Sequence, residues 1–240
     1  MQFWSLQGLQ EQLNYEDVRA LQLQLVELRI QDLIPDTVLF LEHKPVITRG
    51  RGLQFTGNKV RPRHMPFLHP LPSGIDFSET ERGGDLTYHG PGQLVIYPIC
   101  KLNGEGFAPY HDVAGFLRKF EQILIQELRS RRLDADVKEG ATGVWIGDKK
   151  LASMGIAIRK WVTFHGMAIN CVNDLQPFYL ISPCGFQPEM MTRLADWLPL
   201  GNEWRMDLQI ALMNQIAPGS QLLELSLEEA LQKTKLPMST

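Results

Sequence analysis

Gly143-Val144-Trp145-Ile146-Gly147-Asp148-Lys149-Lys150-Leu151-Ala152-Ser153-Met154-Gly155-Ile156 reads as two strands folded back on one another. The runs Gly143 to Ile146 and Leu151 to Ile156 are apolar, and Gly147-Asp148-Lys149 between them has the composition of a hairpin turn. Lys150 then begins the outgoing strand, with the apolar Ala152 and Met154 as its alternation partners, which points its side chain toward a pocket; Lys149 falls in the turn and faces water. A third strand, Val162 to Asn170, follows and makes the hairpin a meander. Upstream, Thr37-Val38-Leu39-Phe40-Leu41 is a short buried strand between Pro35 and Pro45, and Leu94-Val95-Ile96-Tyr97 is another, ended by Pro98. Helical spacing appears after Asn14, an N-cap followed by Glu16 and Asp17, where Val18, Leu21, Leu25 and Leu28 share a face. It recurs in Val113, Phe116, Leu117, Phe120, Leu124 and Leu128, and beyond Pro188 in Trp204 to Ile216 and Ser226 to Gln232. Lys44 to Leu71, rich in Gly, Pro and Arg, reads as a long loop. Strands and helices mixed in this order predict an α+β fold, a mixed β-sheet flanked by helices, in a single domain over 1–240 with a short helical tail from about residue 222.

The 240 residues, 44% hydrophobic and 21% charged, supply a sizeable core and exclude disordered, collagen-like and coiled-coil classes. Lys and Arg total 24 against 27 Asp and Glu, so no strong overall field recruits nucleic acid or a membrane surface. Cys100, Cys171 and Cys184 form no CxxC pair and no disulfide framework, and the start, Met1-Gln2-Phe3-Trp4-Ser5, lacks a signal-peptide pattern. No stretch approaches the roughly 20 apolar residues of a membrane helix. The expectation is a reduced, cytoplasmic protein, monomeric by default.

Three places have the residues for chemistry. Cys184, in Ile181-Ser182-Pro183-Cys184-Gly185-Phe186, is a thiol set between proline and glycine, a position that suits a nucleophile; the alternative is a small buried hydrophobe, which is how Cys100 and Cys171 read. A nucleophilic thiol needs a base or cation, for which His89, His165, Lys149 and Lys150 are available. Arg82-Gly83-Gly84-Asp85-Leu86-Thr87-Tyr88-His89-Gly90-Pro91-Gly92-Gln93 combines four glycines with Arg, Tyr and His, so a ligand can lie against its backbone, yet it has neither nucleotide-phosphate glycine order. His165-Gly166-Met167-Ala168-Ile169-Asn170 sets another His beside a Gly. No ligand pair among His89, His165 and Cys184 has a zinc spacing, so no metal is expected. Lys44, Arg49, Arg51, Lys59, Arg61 and Arg63 fall in a stretch without Asp or Glu, either solvated cations or a rim for an acidic partner.

With these residues in view, the chain resembles the octanoyltransferases of lipoate biosynthesis over roughly Leu39 to Phe186. The likeness rests on Leu41-Glu42-His43-Lys44-Pro45-Val46 leading to Thr48 and Gly50, on Arg82 to Gln93 with Leu94 to Pro98, on Lys150 to Gly155, on His165 to Asn170 and on Pro183-Cys184-Gly185. It implies the fold of biotin and lipoate protein ligase catalytic domains, and transfer of an octanoyl group from octanoyl-acyl carrier protein to a lysine of a lipoyl domain. The acceptors implied include glycine cleavage H protein and 2-oxoacid dehydrogenase E2 subunits, and no cofactor is implied. By the same resemblance Cys184 carries the acyl thioester, Lys150 lowers its pKa, and the acyl-binding residues are Arg82, Gly83, Gly84, Asp85, Leu86, Thr87, Tyr88 and His89, then Ser153, Met154 and Gly155, then Gly166, Met167 and Ala168. Lys150 serves either as an ammonium beside the thiolate or as a neutral proton acceptor. The acyl tunnel is expected to draw walls from Met154, Met167, Ala157 and Ile156. The alternative is an ATP-dependent lipoate or biotin ligase of the same fold, for which Arg49-Gly50-Arg51-Gly52 would be the adenylate loop; such a ligase has no need of Cys184.

Overall fold

The computed structural model describes residues 1–6, 12–56, 59–62, 67–182 and 186–235, the side chains of 53–56 and 59–62 excepted. In chain order the elements are β1 (Gln2–Leu6), α1 (Tyr15–Ile30), β2 (Thr37–Leu41), β3 (Val46–Arg49), β4 (Leu53–Thr56), β5 (Lys59–Pro62), β6 (Asp76–Glu79), β7 (Leu86–His89) and β8 (Gln93–Ile99). There follow α2 (Val113–Ser130), β9 (Ala135–Lys138), β10 (Ala141–Ile146), β11 (Lys149–Arg159), β12 (Val162–Asn170), α3 (Trp204–Ile216), β13 (Leu222–Leu225) and α4 (Leu227–Lys233).

The predicted meander is the centre of an eight-stranded mixed sheet ordered β13-β1-β2-β8-β12-β11-β10-β9. Its β13, β1 and β2 run parallel and every other pair is antiparallel. Phe116, Phe120, Leu124 and Leu128 of α2, joined by Leu208 and Leu212 of α3, bury one face of this sheet against Phe40, Ile96, Met167 and Ile169. The other face takes Val18, Leu21 and Leu25 of α1 and Ala230 of α4, packed on Leu39, Val95 and Ala168. The expected N-cap forms: the Asn14 side chain accepts the N–H groups of Glu16 and Asp17, and Arg29 occupies the last turn.

Several elements depart from expectation. Within the expected loop, β3 pairs with β6 and β7 as a second sheet and β4 with β5 as a hairpin; these strands have only four residues each, and for β3 the partners are remote in sequence, so local pattern carries little of their signal. Pro98 does not end β8, which continues to Ile99 with Pro98 opposite Val38 of β2. On the other side the ladder to β12 breaks after Met167↔Ile96, next to His165 with its φ of +57°, and backbone pairing resumes only at Thr163 and Cys100, so the proline sits in the gap. Lys149 already pairs with Ile146, leaving Gly147 and Asp148 as the hairpin tip. Residues 222–225 are a strand rather than the start of a helical tail: β13 covers the outer edge of β1, which would otherwise present unpaired backbone, and only then does Ser226 cap α4.

Phe120 is 1% exposed and packs against the rings of Phe107 and Phe116. Phe120→Ala is expected to cost about 3–5 kcal/mol, against about 1 kcal/mol for Asn14→Ala, which loses a cap only. Urea unfolding of the two variants, at unchanged denaturant slope, measures both.

Candidate active site

Residues 82–85 join the two sheets. The Gly83 N–H donates to the Ile156 carbonyl of β11 at 2.9 Å, and the approach is so close that a Cβ on Gly155 would lie 2.6 Å from the Gly83 oxygen. The Arg82 guanidinium, 6% exposed, fixes the turn from within: Nη2 donates to Thr48 O, Thr48 Oγ1 and Asp85 O, each at 2.7 Å. A buried guanidinium with its donors placed on carbonyl and hydroxyl oxygens is a structural staple.

A narrow cleft is left between the sheets. It is lined by Arg82, Thr87, His89, Ser153, Met154, Gly155, Gly166, Met167 and Ala168, all predicted as acyl-binding, and by Tyr15, Val95, Tyr97 and His165, which were not. The other predicted residues lie elsewhere. Gly83, Gly84 and Asp85 form the joining turn, and alternation along β7 turns Leu86 and Tyr88 into the core of the small sheet, where Tyr88 meets Phe178 edge to face at 5.6 Å. The expected tunnel walls also change. Met154, Met167 and Ile156 belong to the core beneath α2, so register gives the cleft the backbone of the two methionines, and Ala157 packs in the α1 core outside the lining.

Lys150 is 3% exposed. Its Nζ stands 5.6 Å from the Trp145 ring centroid and 4.9 Å from that of Phe186, and these two rings meet edge to face at 5.2 Å. The alternation argument alone would have put this side chain in the core with Ala152 and Met154. A bulge changes its direction: Val144 pairs with Ala152 but Trp145 with Lys150, so Leu151 is an extra residue and Leu151 and Ala152 both enter the α2 core. Lys150 is thereby turned to the Trp145 side. Its stem lies on Gly143, where a Cβ would come within 3.0 Å of Lys150 Cε, and Gly143 pairs with the cleft residue Ser153. Lys149 is exposed and donates to the Glu189 carbonyl at 2.7 Å. Cys184, with Pro183 and Gly185, lies outside the described residues; on either side of them Ser182 Oγ donates to the Phe186 carbonyl at 3.2 Å. Cys100 and Cys171 are fully buried core thiols, both held protonated by burial. Of the basic stretch, Lys44 and Arg51 are exposed, while Arg49 lies over the Phe67 and Phe77 rings, 5.3 Å from each. Arg63 and the side chains of Lys59 and Arg61 lie outside the description.

Behind the cleft is a buried set of rings that local sequence pattern does not reveal, since its members come from α1, β7, β8, β12 and the segment before β3. The Leu13 carbonyl, 3.2 Å from His43 Nδ1, can only accept, so that nitrogen holds the proton and Nε2 accepts the Tyr97 hydroxyl at 2.8 Å. His89 Nδ1 donates to Gln93 Oε1 at 2.8 Å, because the Gln93 amide already donates to Tyr88 O and Asn170 Oδ1. His165 Nε2 donates to Glu81 at 3.4 Å while Nδ1 accepts from Tyr15 at the same distance. Burial keeps all three imidazoles neutral: it lowers His43 to about 4, His89 well below its usual value and His165 in the same direction. It also raises Tyr15 to about 12. The hydrogen bond from His165 and the Arg19 guanidinium hold the Glu81 carboxyl well below its usual range.

A histidine depressed in the folded state gives stability that is whole above the unfolded value near 6.5 and is lost as pH falls toward the folded value. For His43 that window runs from 6.5 to about 4 and is worth about 3 kcal/mol. Unfolding free energy measured between pH 7 and 5, above the range in which Glu81 contributes, should therefore fall with pH, and His43→Gln should flatten the slope.

The chain matches the lipoyl protein ligase A/B catalytic domain over residues 14–215. It is 40% identical over 192 residues to an octanoyltransferase of Dictyoglomus turgidum, covering 79% of this chain and 77% of that one. It is also 40% identical over 194 residues to the octanoyltransferase of Geobacter metallireducens, covering 79% and 84%. A chloroplastic octanoyltransferase of Arabidopsis thaliana is 41% identical over 153 residues, 63% of this chain and 50% of that one. Among solved structures it is similar to a lipoate-protein ligase A bound with ATP, with a TM-score of 0.66 at 14% identity over 98% of this chain and 92% of that one, a likeness of fold alone. The family match and the identity to octanoyltransferases show that the chain belongs to the octanoyltransferases, within the lipoyl protein ligase A/B catalytic family.

Proposed function

We propose that this octanoyltransferase works through an acyl-enzyme on Cys184, with Lys150 as the group that controls its proton. The observation that carries the reading is the burial of Lys150 against the paired rings of Trp145 and Phe186, the latter two residues past Cys184, beside the Ser153 end of the cleft. A cationic or proton-accepting group in a dry setting is what converts a thiol into a nucleophile at neutral pH.

In the first half-reaction the Cys184 sulfur attacks the carbonyl carbon of octanoyl-acyl carrier protein. The tetrahedral oxyanion collapses with loss of the donor thiol, which takes up the proton that Cys184 gave. One thioester replaces another, so no ATP is consumed. In the second half the neutral amine of a lipoyl-domain lysine attacks the same carbon, the Cys184 thiolate leaves, and the proton released by the new amide nitrogen returns to the Cys184–Lys150 pair. The octanoyl chain lies in the cleft, where its six methylenes, at about 0.8 kcal/mol each, contribute roughly 5 kcal/mol of burial. Glycine cleavage H protein and 2-oxoacid dehydrogenase E2 subunits are the acceptors that fit, and the whole chain acts as one catalytic domain. Among the described residues no helix is long and apolar enough to cross a membrane, and the cytoplasm is the compartment that these donors and acceptors suit.

Intact-protein mass spectrometry after mixing with octanoyl-acyl carrier protein, without ATP or acceptor, tests this. One octanoyl adduct is expected on wild type, none on Cys184→Ser, and loss of the adduct when a lipoyl domain is added. Lys150→Ala should slow acylation by roughly 10²- to 10⁴-fold. An unacylated wild type, or a Cys184→Ser protein that still forms an adduct, would refute the mechanism.

A further inference from the structure

We propose that the length of the acyl chain is read by a clamped box of rings at the inner end of the cleft, Tyr15, His89, Tyr97 and His165, and that His43, which does not line the cleft, holds this box in shape. The inference rests on the acyl-enzyme reading above. Lys150 lies beyond the Ser153 end, so a chain with its carbonyl near Lys150 runs inward past Ser153, Ala168 and Val95. Tyr97 follows Val95 on the same face of β8, one strand repeat or about 6.8 Å further in. Up to that row the side chains from β11 and β12 are small, and the methionine side chains lie on the other face of the sheet. Nothing there can stop a longer chain.

The rings can. Tyr97 meets His165 edge to face at 6.2 Å and 85°, and Tyr15 stacks on His89 at 6.3 Å and 9°. Their polar edges are tied to one another or to groups outside the cleft: Tyr97 to His43, His89 to Gln93, His165 to Glu81 and Tyr15. A ring whose hydrogen-bonding edge is fixed in a dry site cannot swing aside without leaving a buried polar atom unpaired. His43 is the common neighbour, its ring 5.1 Å from Tyr15, 5.7 Å from His89 and 5.8 Å from Tyr97, fully buried and tied to the Leu13 carbonyl. A chain longer by two methylenes must push Tyr97 off His43. His43 is thus a positioning residue for specificity, acting through Tyr97.

The test is competitive acylation of the full chain by an equimolar mixture of hexanoyl-, octanoyl-, decanoyl- and dodecanoyl-pantetheine, read as adduct ratios by intact-protein mass spectrometry. All chains compete for the same active molecules, so the ratio is independent of how much of a variant is folded. Tyr97→Phe keeps the ring and removes its tie, Tyr97→Leu opens the box, His43→Leu removes the clamp, and His43→Gln restores an acceptor for the Tyr97 hydroxyl. The decanoyl-to-octanoyl ratio is expected to rise about tenfold or more in Tyr97→Leu and roughly three- to tenfold in Tyr97→Phe and His43→Leu, returning to about the wild-type value in His43→Gln. Ratios unchanged in both Tyr97→Leu and His43→Leu would overturn the ruler. Absence of any adduct on wild type would instead overturn the acyl-enzyme itself, and the ruler with it.

Discussion

The hydrogen bond from Gly83 to the carbonyl of Ile156 brings one sheet down onto another, and the cleft exists because of it. Without a side chain at Gly155 the turn approaches the strand closely enough to make that bond, and Arg82 then freezes the turn on Thr48 and Asp85. The small sheet is thereby held with Thr87 and His89 opposite Ser153 and Ala168. Ties from His165 to Glu81 and from Gln93 to His89 and Tyr88 hold the same alignment from the other side. The richness in glycine of residues 82–92 has a packing source at Gly90 and Gly92, where a Cβ would collide with the Tyr88 ring and with the Asn173 backbone, whereas Gly83 has room for one.

The large elements were legible because each has its own local cause: an Asn cap and an acidic first turn for α1, a wide apolar stripe for α2, a Gly-Asp tip for the β10–β11 hairpin. The small sheet was not, since Val46–Arg49 becomes a strand by pairing with residues thirty and forty positions on, and no four-residue pattern encodes that. The site divides in the same way. Glycine-rich and His-Gly clusters marked where the chain meets the cleft, but not which side chains turn inward; that depends on register, which sends Leu86, Tyr88, Met154 and Met167 away from it. Tyr15 carried no signal of its own, and His43 and Tyr97 entered only within stretches that carry the family resemblance, with no role attached to either.

Lys150 shows how a single inserted residue can decide chemistry. Strict alternation would leave a lysine amine among the leucines and phenylalanines under α2, where a charge is intolerable. Leu151 as the extra residue of a bulge takes that place instead, and the lysine gains two aromatic faces. Past the end of β12 the backbone of Lys150 is held from its other side by Met191 and Thr192, so the bulge is supported on both flanks. The neutral histidines behind the cleft complete the same design: the ring protons on His43 Nδ1, His89 Nδ1 and His165 Nε2 each have a defined acceptor, and the charges beside them are the Arg82 guanidinium and the Glu81 carboxylate.

The pairing of β13 with β1 has a consequence for biosynthesis. Phe3 meets Leu222 in the sheet, so a strand made early waits for one made more than two hundred residues later. At the roughly 5–20 residues per second of translation, β1 spends on the order of ten seconds or more as an open edge. Its buried sequence, Gln2-Phe3-Trp4-Ser5-Leu6, is apolar enough to recruit another nascent chain in that interval. The closing strand therefore protects the protein only once synthesis has reached it, and a stalled or prematurely terminated chain would be the aggregation-prone species.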